Sequence, residues 1–277
     1  MDLSAVVVNW NSGVHLRRLI KSLEDVELER LLVVDNASTD DSLKGVTERT
    51  EVEIISNASN LGFAVAANQG IERIETPYLF LLNPDVEIDG STVDSLVDAI
   101  RGRPSVALVC PTLVDKATGQ TQFTFQISSL PSLRGVIADA LFLEELVDRL
   151  RGSTPAPDWN ERESVEVEQP AAACWLMRRQ AWADLGGFDE RFTPAWFEDV
   201  DFCRRLAQSG WRCLLVPGVR AQHQGGYSVE ALGRAHFTRI YYDNLLRYWH
   251  KHHRATYPLV WPAVRLGVLI RRLGVGR

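Results

Sequence analysis

The 277-residue sequence carries only four cysteines, Cys110, Cys174, Cys203 and Cys213, and no two of them form a C-x-x-C pair. That argues against a zinc ribbon or a disulfide framework and leaves reduced, buried thiols. Excess positive charge is also missing. The formal net charge is −6, whereas a general nucleic-acid binder needs a basic surface. No uninterrupted apolar run reaches the roughly 20 residues of a membrane-spanning helix. The opening residues, MDLSAVVVNWN, set no basic segment ahead of an apolar one, so no signal peptide is expected and the cytoplasm is the expected compartment. Neither G-x-G-x-x-G after the first apolar run nor G-x-x-x-x-G-K-[ST] occurs, which disfavours a dinucleotide Rossmann site and excludes a P-loop NTPase.

What is present is an alternation of strand and helix patterns. Ala5–Val8, Leu31–Val34 and Val52–Ile55 are short apolar strands, and Tyr78–Leu82 is a fourth that runs into Asn83-Pro84-Asp85. Helical periodicity follows the first strand at Leu16, Leu19, Ile20 and Leu23, and Phe63–Ile74 follows the third. A further helix through Leu43 and Val46 is expected, with Ser38 or Thr39 as its N-cap. The spacing is that of βα units and predicts an α/β fold with a mainly parallel, doubly wound sheet. Each strand ends in polar residues: Asn9 and Asn11, Asp35 and Asn36, Asn57 and Asn60, Asn83 and Asp85. A parallel sheet brings these ends to one edge, where open α/β sheets bind ligands. The small residues of GFAVAANQG suit either close approach of a ligand or helix–sheet packing.

In this order VVVNWN, VVDNASTD, NLGFAVAANQG and LLNPDV resemble the family 2 glycosyltransferases of GT-A fold, and most closely their rhamnosyltransferase-like branch. GGFDERF, WFEDVDFCRRL and the histidine of AQHQGGYS extend the resemblance from about Ser4 to Ser228. It implies a Rossmann-like sheet flanked by helices and a nucleotide-diphosphate-sugar donor bound across the first half. Asp35 then pairs with the donor's base beside the Asn9–Asn11 turn and Asn36, while Asn60 and Asn68 lie near the ribose and phosphates. Asn83-Pro84-Asp85 stands where the family carries D-x-D, with an amide at Asn83 in place of a carboxylate. Asp85 is the implied metal ligand and His223 completes the shell. A hard cation stabilises the charge of a departing diphosphate, which suits Mg²⁺, and a histidine ligand tilts the choice to Mn²⁺.

Farther on, Val106–Cys110 and Ala171–Met177 read as strands, Leu133–Leu150 as a helix, and Gly152–Gln169 as a mobile loop. Glu198, Asp199 and Asp201 open a helix, where carboxylates serve as caps or as a general base taking the proton of an acceptor hydroxyl. By the family's E-D motif Asp199 is the base, with Glu198 second. Trp175, Trp196 and Phe197 offer flat faces to an acceptor sugar, and core packing accounts for any one of them equally well. The tail from Val229 is helical in pattern. Its aromatics and arginines suit a helix lying on the inner face of the cell membrane or one docked on the protein itself or its dimer partner.

The expected division is therefore a transferase domain over 1–235, with donor half 1–115 and acceptor half 116–235, and a helical segment over 236–277. The expected activity is that of an inverting, metal-dependent glycosyltransferase. It would move a sugar, L-rhamnose in this branch, to a glycan or polyprenyl-linked acceptor in bacterial cell-surface polysaccharide synthesis. A sugar nucleotidyltransferase and a non-catalytic nucleotide-sugar-binding protein are the rivals. The first would carry a glycine-rich N-terminal loop, which MDLSAVVVNWNSG lacks.

Overall fold

β1 (Leu3–Asn9) is buried at every residue, as an unbroken apolar run demands of a strand covered on both faces. The computed structural model describes residues 2–47, 50–143, 163–225 and 232–272. After α1 (His15–Ser22) come β2 (Leu31–Asp35), β3 (Val52–Ser56), α2 (Phe63–Ile71) and β4 (Tyr78–Leu82). The four strands form a parallel block ordered β3-β2-β1-β4. Alternate residues of β1 divide the core: Ala5 and Val7 belong with Leu16, Leu19 and Ile20 of α1, and Val6 and Val8 with Ala64, Ala66 and Ala67 of α2. The small residues of α2 let it lie close on the sheet, since a Cβ on Gly70 would come within 2.4 Å of Val6 Cγ1.

One expected element is absent. In place of a helix through Leu43 and Val46 there is a single 3₁₀ turn, Asp41–Leu43, capped by Asp40 rather than by Ser38 or Thr39. Ser38 is drawn back to the Asp35 carboxylate and the Thr39 amide to Asn11 Oδ1, local bonds that compete with helix.

The second half adds β5 (Val86–Glu87), α3 (Gly90–Ile100), β6 (Val106–Asp115), α4 (Phe123–Gln126), β7 (Ile127–Ser128) and α5 (Leu133–Ala140). Then follow β8 (Val165–Val167), β9 (Gln169–Pro170), β10 (Cys174–Arg178), α6 (Arg179–Asp184), α7 (Glu198–Gln208) and β11 (Arg212–His223). Beyond β4 the sheet continues β10-β6-β11-β5 and becomes mixed, because β10 runs antiparallel to both β4 and β6. This strand therefore enters the sheet at the carboxyl end of β4, where the Asn83 amide donates to the Ala173 carbonyl at 2.8 Å. The expected loop over 152–169 falls largely on 144–162, outside the described residues, as do Leu146 and Leu150 of the expected helix. Its last part is strand: β8 alternates valine with glutamate and pairs as an edge on β11.

α8 (Arg234–His252) and α9 (Tyr257–Arg272) form a helical hairpin that packs with α5 in a third core cluster. Phe192 and Phe197, from the segment that leads into α7, are buried in it. No described helix is long and apolar enough to cross a membrane.

Candidate active site

The carboxyl ends of β1, β2 and β4 surround a cavity of about 250 Å³, closed by Ala171–Ala173, the Pro194–Trp196 segment, the first turn of α7 and the end of β11. Asn36, Asn60, Asn83 and Asp85 line it from the first half of the chain, and Glu198, Asp199 and His223 from the second. Parallel strands deliver the first set. The antiparallel entry of β10 and the pairing of β5 with β11 deliver the second, His223 lying directly opposite Val86.

That pairing brings His223 Nε2 to 3.5 Å from Asp85 Oδ1. Gln122 decides the histidine's tautomer. Its amide nitrogen donates to the His223 carbonyl at 3.1 Å, so its Oε1 accepts from His223 Nδ1–H at 2.7 Å. The other ring nitrogen then turns a lone pair towards the carboxylate. Burial holds the His223 pKa below its ordinary value, against the pull of the Asp85 and Asp115 charges, and so favours the neutral ring. Two acceptors thus face one another with no proton between them. One cation bonded to each at about 2.1 Å spans such a gap, and the hydrogen bond to Nδ1 orients the ring as metal-bound histidines require. The residues present fit a hard divalent ion. Among the described residues no group of three or more His, Cys, Asp or Glu ligands occurs, so donor oxygens and water would supply the remainder, as at Mg²⁺–nucleotide sites.

Glu198 and Asp199 line the same cavity. Their helix has no side-chain cap, and the residue at the cap position, Phe197, has φ 75°, following Trp196 at φ 71°. Two bulky residues in the left-handed region are rare, and each costs about 1–3 kcal/mol. Asn244 of α8, itself buried, donates to the Ala195 and Trp196 carbonyls at 2.8 and 3.1 Å and holds the turn. Asp199 accepts from Gln169 Nε2 at 3.2 Å and from the Val200 amide at 2.8 Å. Glu198 is only 6% exposed and its Oε2 has no partner. Burial, reinforced by the neighbouring Asp199 charge, raises the Glu198 pKa well above 4.5, and burial raises that of Asp199 as well. A pair of this kind holds one proton, which rests on the carboxyl with fewer donors to it. Glu198, with no donor at Oε2, is the carboxyl pushed further towards its neutral form.

Residues 4–153 match the model of Glycosyl transferase family 2. The chain belongs to this family. It is 27% identical over 278 residues to the N-acetylglucosaminyl-diphospho-decaprenol L-rhamnosyltransferase of Mycobacterium tuberculosis, covering 92% of this chain and 82% of that protein. The fold is shared with solved glycosyltransferases. GalNAc-T7 with UDP, GalNAc and Mn²⁺ aligns at TM-score 0.63 and 17% identity over 90% of this chain, which spans 47% of the length of that one. The mannosyltransferase PcManGT from Pyrobaculum calidifontis, in complex with GDP-Man and Mn²⁺, aligns at 0.60 and 15% over 100% of this chain and 76% of that one. Family 2 membership makes the protein a glycosyltransferase and sets aside both the nucleotidyltransferase and the non-catalytic reading.

In this family 2 transferase not every residue singled out in the sequence reaches the cavity. Asn9 and Asp35 lie beneath its edge: Asn9 Nδ2 donates to Asp35 Oδ1 at 2.7 Å, and the same oxygen accepts from Ser38 Oγ at 2.6 Å. Asn11 takes the Thr39 amide. Asn68 spends its whole amide on the acceptor half, accepting from Trp182 Nε1 and the Phe188 amide and donating to the Phe188 carbonyl and Glu190. Trp175 is 0% exposed within the core, and Phe197 packs edge-on against Tyr241 in the hairpin cluster, so neither offers a face to a sugar. Large aromatics satisfy core and platform equally, and composition does not separate the two. The aromatics that do line the cavity are Trp10, Phe63, Phe125 and Trp196. Phe125, 53% exposed, stacks on the His223 ring with centroids 5.4 Å apart. Gln122, Phe125, Gln169 and Asn244 carry no sequence signal, because each acts through tertiary contacts made by otherwise ordinary polar or apolar positions.

Proposed function

We propose that this transferase is inverting and metal-dependent, moving a sugar from a nucleotide diphosphate to a polyprenyl-linked glycan acceptor in cell-surface polysaccharide synthesis. L-rhamnose is the sugar we assign, from the name of the mycobacterial relative. The observation that carries the reading is the meeting in one cavity of a cation-ready pair, Asp85 and His223, with a carboxylate pair holding one proton, Glu198 and Asp199. With Asp85 holding the cation, Asp199 is the carboxylate we assign as base in a single displacement.

Asp199 takes the proton of the acceptor hydroxyl as its oxygen bonds to C1 of the sugar, and the bond from C1 to the diphosphate oxygen breaks with inversion. Glu198, protonated, donates a hydrogen bond from beside it and keeps a second negative charge out of the site. A divalent ion, when bound, offsets the charge of the departing diphosphate. Asn36, Asn60 and Asn83 offer hydrogen bonds to the donor. Asn9, Asn11 and Asp35 shape the turn beneath it, and Asn68 ties α2 to the acceptor half. Trp196 and Phe125 flank the acceptor. A polyprenyl carrier resides in a bilayer, so the reaction belongs at a membrane surface.

Melting the protein with a panel of nucleotide-diphosphate sugars, with and without Mn²⁺, tests the donor and metal claims together. The correct donor raises Tm by mass action only when the ion is present, and Asp85→Ala abolishes that shift. A shift of equal size without any divalent ion would refute the metal site.

A further inference from the structure

We propose that the outward face of α9 is a membrane-docking surface for anionic lipid. Leu259, Leu266 and Leu269 are 62, 49 and 54% exposed, on the side of the helix away from buried Val260, Val264 and Val268, and Trp261, 46% exposed, flanks them. Phe142 and Leu143, just past α5, are exposed as well, and the Arg271 guanidinium lies 4.2 Å over the Phe142 ring. Exposed apolar surface of this kind marks a binding face.

Charge names the occupant. Residues 232–277 hold nine of the chain's thirty Lys and Arg against one acidic residue, Asp243, whereas the protein as a whole carries −6. An acidic catalytic body therefore bears a strongly basic hairpin; Arg272 is exposed on α9, and exposed Arg265 lies at its flank, ion-paired with Asp243 of α8 at 2.6 Å. Lysines and arginines near an anionic leaflet each add attraction that salt screens. A second copy of this chain fits less well, because a two-fold contact through α9 would set these arginines against their own counterparts. The sixteen residues of α9 span about 24 Å at 1.5 Å each, short of a bilayer core of about 30 Å, so the helix lies in the interface rather than across it.

The surface deepens the lipid-linked acceptor reading and rests on it for its purpose, though not for its test. α9 packs on α8, whose Asn244 holds the turn ahead of Glu198 and Asp199. The element that grips the lipid and the element that positions the base are thus one hairpin.

Flotation with phosphatidylglycerol–phosphatidylcholine vesicles reads the binding directly, without turnover. The protein should float with these vesicles, not with phosphatidylcholine alone, and should dissociate as salt rises from about 0.1 to about 0.5 M. Leu266→Glu/Leu269→Glu should cut the floated fraction at least about tenfold while leaving Tm and the donor-induced shift unchanged. Arg265→Gln/Arg272→Gln should lower binding and weaken its salt dependence, which keeps the test open if the glutamate variant misfolds. Vesicle binding that neither variant alters would overturn the proposal. So would failure of the wild type to float, or a dimer that the glutamate variant dissolves. A donor shift that survives while flotation fails would leave the transferase reading standing and this one refuted.

Discussion

Glu198 and Asp199 are neighbours in one helical turn, yet their surroundings differ, and on that difference rest the roles proposed for them. Asp199 is met by an amide side chain and a backbone N–H, and Glu198 by nothing at Oε2. Asp199→Asn should therefore lower kcat by about 10²–10⁴-fold, the usual worth of a general base. Glu198→Gln, which copies the protonated form, should retain most of the activity; a reversed ranking in steady-state kinetics would exchange the two roles. The same pair predicts a stability signature. The folded pKa of Glu198 lies above its ordinary 4.5, so the native state binds this proton more tightly than the unfolded chain. The resulting stabilisation is complete below 4.5 and is lost as pH rises through the folded value. Thermal melts should show Glu198→Gln matching the wild type near about pH 4 and exceeding it near about pH 8.

The turn from Pro194 to Phe197 is the element on which both halves of the enzyme bear. On one side the Phe63 amide, at the start of α2, donates to the Pro194 carbonyl at 2.7 Å. Gly62 lies so close that a Cβ there would come within 2.9 Å of the same oxygen. On the other side Asn244 holds the Ala195 and Trp196 carbonyls, and Arg247 donates to Asn244 Oδ1. The left-handed conformations of Trp196 and Phe197 persist because these contacts over-determine them. Removing the clamp with Asn244→Ala should cost about 1–3 kcal/mol, the penalty for stranding buried acceptors. It should lower kcat with little change in donor KM, since the donor edge is untouched. Unaltered kcat in a variant of reduced Tm would reduce Asn244 to a purely structural role.

Across the whole molecule the hairpin is fastened to the catalytic body by a buried charge cluster. Asp201, 0% exposed, accepts from Arg205 Nε at 2.7 Å and from Lys251 Nζ and His252 Nε2 at 2.6 Å each. Asp201→Ala removes the carboxylate from Arg205 and Lys251 and should cost about 3–5 kcal/mol in chemical denaturation. Burial opposes the Asp201 charge, but the bonds from His252 and Lys251 outweigh it and hold the folded pKa below 3.8. The wild type's advantage over the variant should therefore be full above pH 3.8 and vanish as pH falls through the folded value. Much at this scale was legible in the sequence. The polar tails after Val8, Val34, Ile55 and Leu82 do gather at one sheet edge, because parallel strands leave no other arrangement. The direction of β10 was not legible, since an apolar run reads the same either way. Nor were Gln122 and Asn244, whose partners lie far off in the chain. That distance shapes how the enzyme comes into being. The Gly225 amide bonds to the Asp85 carboxylate across 140 residues of sequence, and β11 is the last described strand to be made. A chain emerging from the ribosome carries its first four strands early and brings His223 to Asp85 only with that final strand, so the proposed cation site would assemble last.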